Sequence, residues 1–398
     1  MSANREIFFK NYKFIIDNNK YKEGFCGDEK ISKPKYALCN ILKDENSDYN
    51  ENWSCVKLLE CLEKVNQRPK KIDEIREIIS KISTEKTSED GYSFTQQREI
   101  INQIFKDTAT KWDLQSIMLR LIVIDSLYST NAEYSYFSFW EMAKEISELG
   151  GSDDEIQAVF NSIVDNSSQI TANKTQNDVD LFSKPYGIRK NCNQGSRQTS
   201  LMSKYANYTM LQNPEKYPLG FPIYDSLAIK MYPKVCNLLA IKSKFTKSDA
   251  DNNELKINEY ISALNELRGA IFGNDNNLYE GFQQYDLLDA YLWRMGKIDN
   301  GNYSLLFNRK DYENFITNIG LNKIEDEELY KRFGTNGLDL VKKKQNNKNQ
   351  DIYEYDFNKL VRHQCLKIEV DDILKDVTNK ENMAVMISHW KKLYANLK

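Results

Sequence analysis

Histidine is almost missing from this chain: His363 and His389 are the only two in 398 residues. Tetrahedral zinc sites draw on His and Cys, and a Ser-His-Asp triad needs an imidazole beside its hydroxyl, so most designs of either kind are excluded. Cysteine does not fill the gap. The seven cysteines, at 26, 39, 55, 61, 192, 236 and 365, include no C-x-x-C pair and no regular spacing. They read as reduced, mostly packed thiols. Also absent is an apolar run of the roughly 18–20 residues that a bilayer span requires. The opening MSANREIFFKNYKF sets charges where a signal peptide needs its apolar stretch. The expectation is a cytoplasmic protein with no membrane, metal or cofactor, whose active site is built from Lys, Asp, Glu, Tyr or Ser.

What is present is enough for real cores. Hydrophobic residues make up 40%, charged residues 28% and aromatics 12% of the chain, too apolar a mixture for disorder and too long a chain for one small module. The expected fold class is mainly α, in at least two domains. A helical N-terminal extension is expected over 1–110, a two-lobed helical core over 111–298 and a C-terminal extension over 299–398. The polar run KKKQNNKNQ, 342–350, reads as a linker within that last part.

Periodicity supports this division. Val56 to Val65 and Ile72 to Ile82 have the pattern of two short amphipathic helices, and 43–52 that of a loop. Leu114, Ile117, Met118, Leu121 and Ile122 follow helical spacing in a segment that continues to Leu127. A helix from about Ala132 to Leu149 is expected next, capped by Thr130, and Ser152 is suited to cap the one after. Residues 166–180 read as a loop, and 255–271 and 285–295 as helices.

Charge is uneven. From Leu181 to Lys247 there are eleven Lys and Arg, at 184, 189, 190, 197, 204, 216, 230, 234, 242, 244 and 247, against Glu215 and Asp225. A net +9 there, in a chain totalling −3, is the footprint expected of a polyanion-binding face, or of a solvated basic surface with no partner.

The stretch Gly195 to Tyr232 lies inside that block. A helix from about Thr199 to Tyr208, with Ser196 or Thr199 as its cap, is followed by a loop stiffened by Pro214, Pro218 and Pro222, then by a helix opening at Asp225. Two arms on a fixed loop can hold the Lys204 amine and the Asp225 carboxylate toward one cleft. An unprotonated amine is a nucleophile for the C1′ of a deoxyribose, and an adjacent carboxylate stabilises the positive charge that develops there. Taken singly, Lys204 reads first as an exposed helical lysine and Asp225 as a plain N-cap.

This order of parts resembles the helix-hairpin-helix DNA glycosylase superfamily, and within it the 8-oxoguanine DNA glycosylase-like branch. There a lysine follows the hairpin and an aspartate opens the next helix about twenty residues later; here Lys204 and Asp225 are twenty-one apart, with Phe221-Pro222-Ile223-Tyr224 leading in. The segment Leu121 to Ile146 is similar to the family's earlier helix, polar turn and helix. Two features depart from the pattern: Ser200-Leu201-Met202-Ser203 stands where a Gly-x-Gly turn is usual, and one branch's four-cysteine iron–sulfur signature is missing.

The resemblance implies a glycosylase that flips a damaged or modified base, with Lys204 and Asp225 catalytic and β-elimination following if a Schiff base forms. It implies DNA contacts by Arg189, Lys190, Arg197 and Lys230, with Asn131 entering the gap left by the base. Tyr205, Tyr208 and Tyr224 would line the base pocket, although core packing accounts for Tyr205 equally well, and Trp293 reads as core. The alternatives are a DNA-binding module of the same fold that cuts no bond, and a helical protein whose basic block meets an acidic partner.

Overall fold

In the N-terminal segment, Ile7 and Phe9, then Phe14 and Ile16, are buried at alternate positions. That is the period of a half-buried strand. Strands β1 (Arg5–Phe9), β2 (Tyr12–Asp17), β3 (Lys20–Cys26) and β4 (Glu29–Lys30) form an antiparallel meander in chain order. The expected all-helical N-terminal extension is therefore corrected at its start. The computed structural model describes residues 5–17, 19–45, 47–83, 94–128, 135–168, 180–189, 196–243, 245, 257–273, 283–334, 339–346, 350–378 and 380–395.

Helix α1 (Pro34–Asp44), with Pro34 at its first position, sets Leu38, Ile41 and Leu42 against the sheet. Helix α2 (Cys55–Ser83) is one helix of 29 residues, not the expected two, and carries Pro69 inside it. Proline withholds an amide, but each half of α2 is buried in a different core. Leu58 to Val65 pack with the sheet, and Ile75, Ile78 and Ile79 with the C-terminal helices. Arg68 holds the junction by donating to the carbonyls of Leu239 (2.7 Å), Ala240 (2.9 Å) and Glu45 (3.0 Å).

A second core gathers α3 (Phe94–Asp107), α4 (Leu114–Tyr128), α5 (Ser138–Ser147), α6 (Asp153–Ser168), α7 (Asp180–Ser183) and α8 (Thr199–Leu211) around Ile117, Leu121, Phe160 and Tyr205. Helix α4 matches its expected span. Helix α5 starts at Ser138, later than expected, because Ser135–Tyr136 (β5) pairs with Ile188–Arg189 (β7) and Phe137 turns through φ 65°. Thr130, the expected cap, lies outside the described residues. A second two-residue ladder joins Pro185–Tyr186 (β6) to Ser196–Arg197 (β8). Ser152 accepts from the Glu155 amide at 3.4 Å while the Glu155 carboxylate accepts from Gly151 N–H at 2.8 Å, the reciprocal cap of α6.

The third core is the largest. Helices α9 (Ser226–Leu238), α10 (Ile257–Phe272) and α11 (Gln284–Asp299) share it with α12 (Arg309–Asn318), α13 (Asp326–Phe333), α14 (Phe357–Lys367), α15 (Val370–Ile373) and α16 (Lys380–Ala395). The expected linker at 342–350 is corrected as well. Val341–Gln345 (β9) and Asp351–Tyr355 (β10) pair as antiparallel strands, with Lys343 and Lys344 ion-paired to Asp351 (2.8 Å) and Glu354 (2.7 Å). Cross-strand opposite charges suit such an exposed ladder. The fold is mainly helical.

Asp299, at the end of α11, fastens the third core. Its carboxylate is 1% exposed and meets Lys230 (2.5 Å) and Lys234 (2.9 Å) from α9, Arg362 (3.3 Å) from α14 and the Trp390 indole N–H (3.2 Å) from α16. Burial alone would raise its pKa, but Lys230, Lys234 and Arg362 outweigh that and hold it down at about 2. A depressed carboxylate stabilises the fold above its unfolded pKa and loses that contribution as pH falls through the folded value. Asp299→Asn should cost on the order of 3 kcal/mol at pH 7, because three cations lose their partner. In denaturant melts the gap from wild type should narrow as pH drops from 3.8 toward 2.

Candidate functional site

Helix α8 is buried on every side from Leu201 to Met210, although it carries Ser203, Lys204, Asn207 and Thr209. Polar groups so enclosed need partners, and three of them find theirs through the loop that follows or at its far end. Asn207 donates to Phe221 O at 2.8 Å, Ser203 Oγ accepts from the Tyr224 amide at 2.9 Å, and Lys204 faces Asp225. The third core grips the same loop. Gln283 donates to Met210 O (3.0 Å) and Tyr217 O (2.7 Å), the Tyr285 amide to Leu219 O (2.9 Å) and Tyr260 OH to Ile223 O (2.9 Å).

The loop delivers Asp225 to the head of α9, where Oδ1 accepts from the Leu227 amide at 2.8 Å. That is the expected N-cap. Behind it α11 comes close through Gly296, where an added Cβ would lie 2.7 Å from the Leu227 side chain. The other carboxylate oxygen, Oδ2, stands 3.4 Å from Lys204 Nζ. Cap and charge partner are thus two oxygens of one side chain. Lys204 is 1% exposed, not the exposed helical lysine that the sequence also allowed. Its Nζ donates to Ser200 Oγ at 2.7 Å and lies 5.1 Å from the centre of the Tyr128 ring. The pair sits on the seam between the second and third cores, since α8 belongs to one and α9 to the other.

Other charged groups share the seam that sequence reasoning passed over. Arg98 of α3 is ion-paired with Asp286 of α11. One turn on, Asp289 is 6% exposed, and its Oδ1 has no hydrogen-bond partner among the described residues. Burial raises its carboxyl to about 7, the charge of Asp225 pushes the same way, and Arg98 and Lys204 oppose. Tyr128 and Tyr208 join hydroxyl to hydroxyl at 2.7 Å on the opposite side. A signal was available: in QYDLLDAYLW two acids three apart interrupt an apolar helix, and carboxylates on an apolar face are rarely idle.

The remaining expected site residues scatter. Tyr205 is fully buried, edge-on to Phe105 and Phe160, with Arg120 donating to its hydroxyl at 2.9 Å. Tyr208 is 1% exposed against Phe105 and Tyr128. Both are core residues with no ring face left for a base. Tyr224 packs edge-on to Tyr260 at 5.0 Å, in the third core. Lys230, expected among the DNA contacts, is ion-paired with Asp299. Arg189 and Arg197 lie on strands β7 and β8, their side chains outside the described part, and Lys190 and Asn131 lie outside the described residues. Trp293 is buried, as expected, with Lys297 Nζ 5.0 Å from its ring centre.

The basic block is likewise less free than its count. Lys184 pairs with Glu145, Lys204 with Asp225, and Lys230 and Lys234 with Asp299. Exposed apolar surface collects beside it. Tyr136 (55%), Phe137 (66%), Trp140 (43%) and Ile188 (45%) stand out around the β5–β7 ladder. Gly187 makes that ladder tight, since a Cβ there would meet Tyr136 O at 2.5 Å. A cavity of about 630 Å³ opens elsewhere, lined by Lys33, Lys35, Tyr36, Lys43 and Tyr49 among others, and includes none of the seam residues. Among the described residues, no helix is long and apolar enough to cross a membrane, and no group of three or more His, Cys, Asp or Glu is placed to hold a metal ion.

A protein-family model described as the HI_0787_N N-terminal domain matches residues 74–214, a span that includes Lys204 and ends before Asp225. No curated protein and no solved structure matches the chain.

Placement of Asp225 depends on Gly220, which sits at φ +72° with its missing Cβ 2.5 Å from Gln283 Oε1. Gly220→Ala adds left-handed strain and displaces the glutamine that anchors the loop. It should destabilise the protein by about 2 kcal/mol, measured by denaturant melts.

Proposed function

We propose that the chain is a DNA glycosylase similar to the 8-oxoguanine DNA glycosylase-like branch of the helix-hairpin-helix superfamily, acting on a damaged or modified base turned out of the duplex. Lys204 attacks C1′, and Asp225 stabilises the positive charge that develops on the sugar. The observation that carries this reading is the buried amine itself. Lys204 is 1% exposed with Nζ 3.4 Å from Asp225 Oδ2, and a loop tied to both cores fixes the partner carboxylate. A side chain fixed by its partner suits a nucleophile that must be held in place for attack.

Two further observations support DNA as the partner. The exposed Tyr136, Phe137, Trp140 and Ile188 suit insertion into an opened base stack. The sequence sets Arg189, a residue type that pairs with phosphate, next to Ile188. If the lysine–sugar bond opens to a Schiff base, loss of the 3′ phosphate by β-elimination makes the enzyme a lyase as well. A cytoplasmic role in base-excision repair, or in defence against phage DNA with modified bases, fits this chemistry. One observation favours the second reading, a DNA-binding module without catalysis: Ser200-Leu201-Met202-Ser203 stands where the hairpin's Gly-x-Gly turn is usual.

A base-release assay on duplexes carrying single lesions separates the two. Wild type should release at least one base, and Lys204→Ala should release none while still binding the duplex. Asp225→Asn keeps an equally good cap, so its melting temperature should stay within a few degrees. It lacks the negative charge, so release should fall about 10²-fold. Binding without release by the wild-type protein across the panel would leave the module reading in place.

A further inference from the structure

We propose that Asp289 is the general acid of this reaction, donating its carboxyl proton to the base as the base leaves C1′. The proposal rests on the glycosylase reading above and adds a role for a residue that reading leaves unused.

Three acids of the seam, Asp225, Asp286 and Asp289, differ in their partners among the described residues. Asp225 has the Lys204 amine and the Leu227 amide, and Asp286 has the Arg98 guanidinium. Asp289 has no hydrogen bond at Oδ1 among the described residues, and is 6% exposed. A bare, buried carboxyl favours its neutral, protonated form. Its pKa of about 7 expresses that preference, with burial as the first cause. The groups that act on it are Lys204 of α8, Asp225 at the head of α9 and Arg98 of α3. It acts in turn on Tyr260 of α10, Tyr128 of α4 and Tyr208 of α8. Two carboxyl groups share the seam with one lysine, one accepting from the Lys204 amine and the Leu227 amide, the other buried with Oδ1 unpartnered among the described residues; such a division suits an electrostatic stabiliser and an acid.

The step balances without a further reagent. The Lys204 ammonium first gives one proton to solvent; the lone pair of the resulting amine forms the bond to C1′, and the glycosidic bond breaks with its electron pair going to the base. The Asp289 proton moves to the base, and its O–H pair stays on the carboxylate. The products are a secondary ammonium at C1′, a neutral free base and an ionised Asp289. A base that already carries positive charge leaves without that proton.

The test compares wild type, Asp289→Asn and Asp289→Glu on three duplexes, carrying 8-oxoguanine, the cationic 7-methylguanine, or a preformed abasic site with borohydride. Asp289→Asn should release 8-oxoguanine about 10²-fold more slowly at pH 6. It should also lose the wild-type decline as pH rises through about 7. Release of 7-methylguanine and trapping of abasic DNA should persist in that variant, which a merely structural defect would not allow. A raised carboxyl pKa costs stability as pH climbs from 3.8 to about 7, so Asp289→Asn should melt at or above wild type at pH 8. If the asparagine variant does not fold, Asp289→Glu decides: its alkaline decline should shift, and an unshifted one overturns the proposal. Equal slowing on all three duplexes overturns it too, as does unchanged release of 8-oxoguanine. Wild type that traps abasic DNA but releases neither base overturns the acid and spares the nucleophile. Wild type that does neither overturns the reading beneath it.

Discussion

A lysine ammonium taken out of water must be met by negative charge, and most of the seam follows from meeting that demand at Lys204. Isolated burial of such an ion costs several kcal/mol even after relaxation. Asp225 Oδ2 at 3.4 Å and Ser200 Oγ at 2.7 Å are its compensation. Asp225 can serve only if the loop before it is rigid, and so Asn207, Ser203, Gln283 and Tyr260 each spend a hydrogen bond on that loop. The loop's anchors come from both cores. Any shift of one core against the other moves the carboxylate relative to the amine.

Charge elsewhere on these helices is largely paired. Lys230 and Lys234 stand one and two turns into α9. Both are taken up by Asp299 at the far end of α11. Asp286 is engaged by Arg98. Asp289 keeps one buried oxygen, Oδ1, without a hydrogen-bond partner among the described residues, and burial is the first cause of its raised pKa.

Local periodicity made α4, α8, α9 and the Asp225 cap legible before any coordinates, because each depends on residues close in sequence. The misses have the opposite character. The N-terminal meander hides in short charged strands whose apolar face is only four residues, Ile7, Phe9, Phe14 and Ile16. The 341–355 hairpin is held by cross-strand ion pairs that composition mistook for a linker. Tyr205 and Tyr208 looked available because a helix was read as having one buried side, whereas α8 is enclosed all round. Lys230 counted as free charge because its partner is about seventy residues away. Asp289 was overlooked because what sets it apart, the lack of a hydrogen-bond partner at Oδ1, is a property of the packed seam.

The most direct measurement is the site of covalent attachment. Wild-type protein is reduced with borohydride on an abasic duplex, digested and read by peptide mass spectrometry. A lysine nucleophile held by Asp225 predicts the reduced sugar adduct on the peptide that contains Lys204. Its appearance on another lysine or on the N-terminal amine, or no adduct at all, would contradict the assignment.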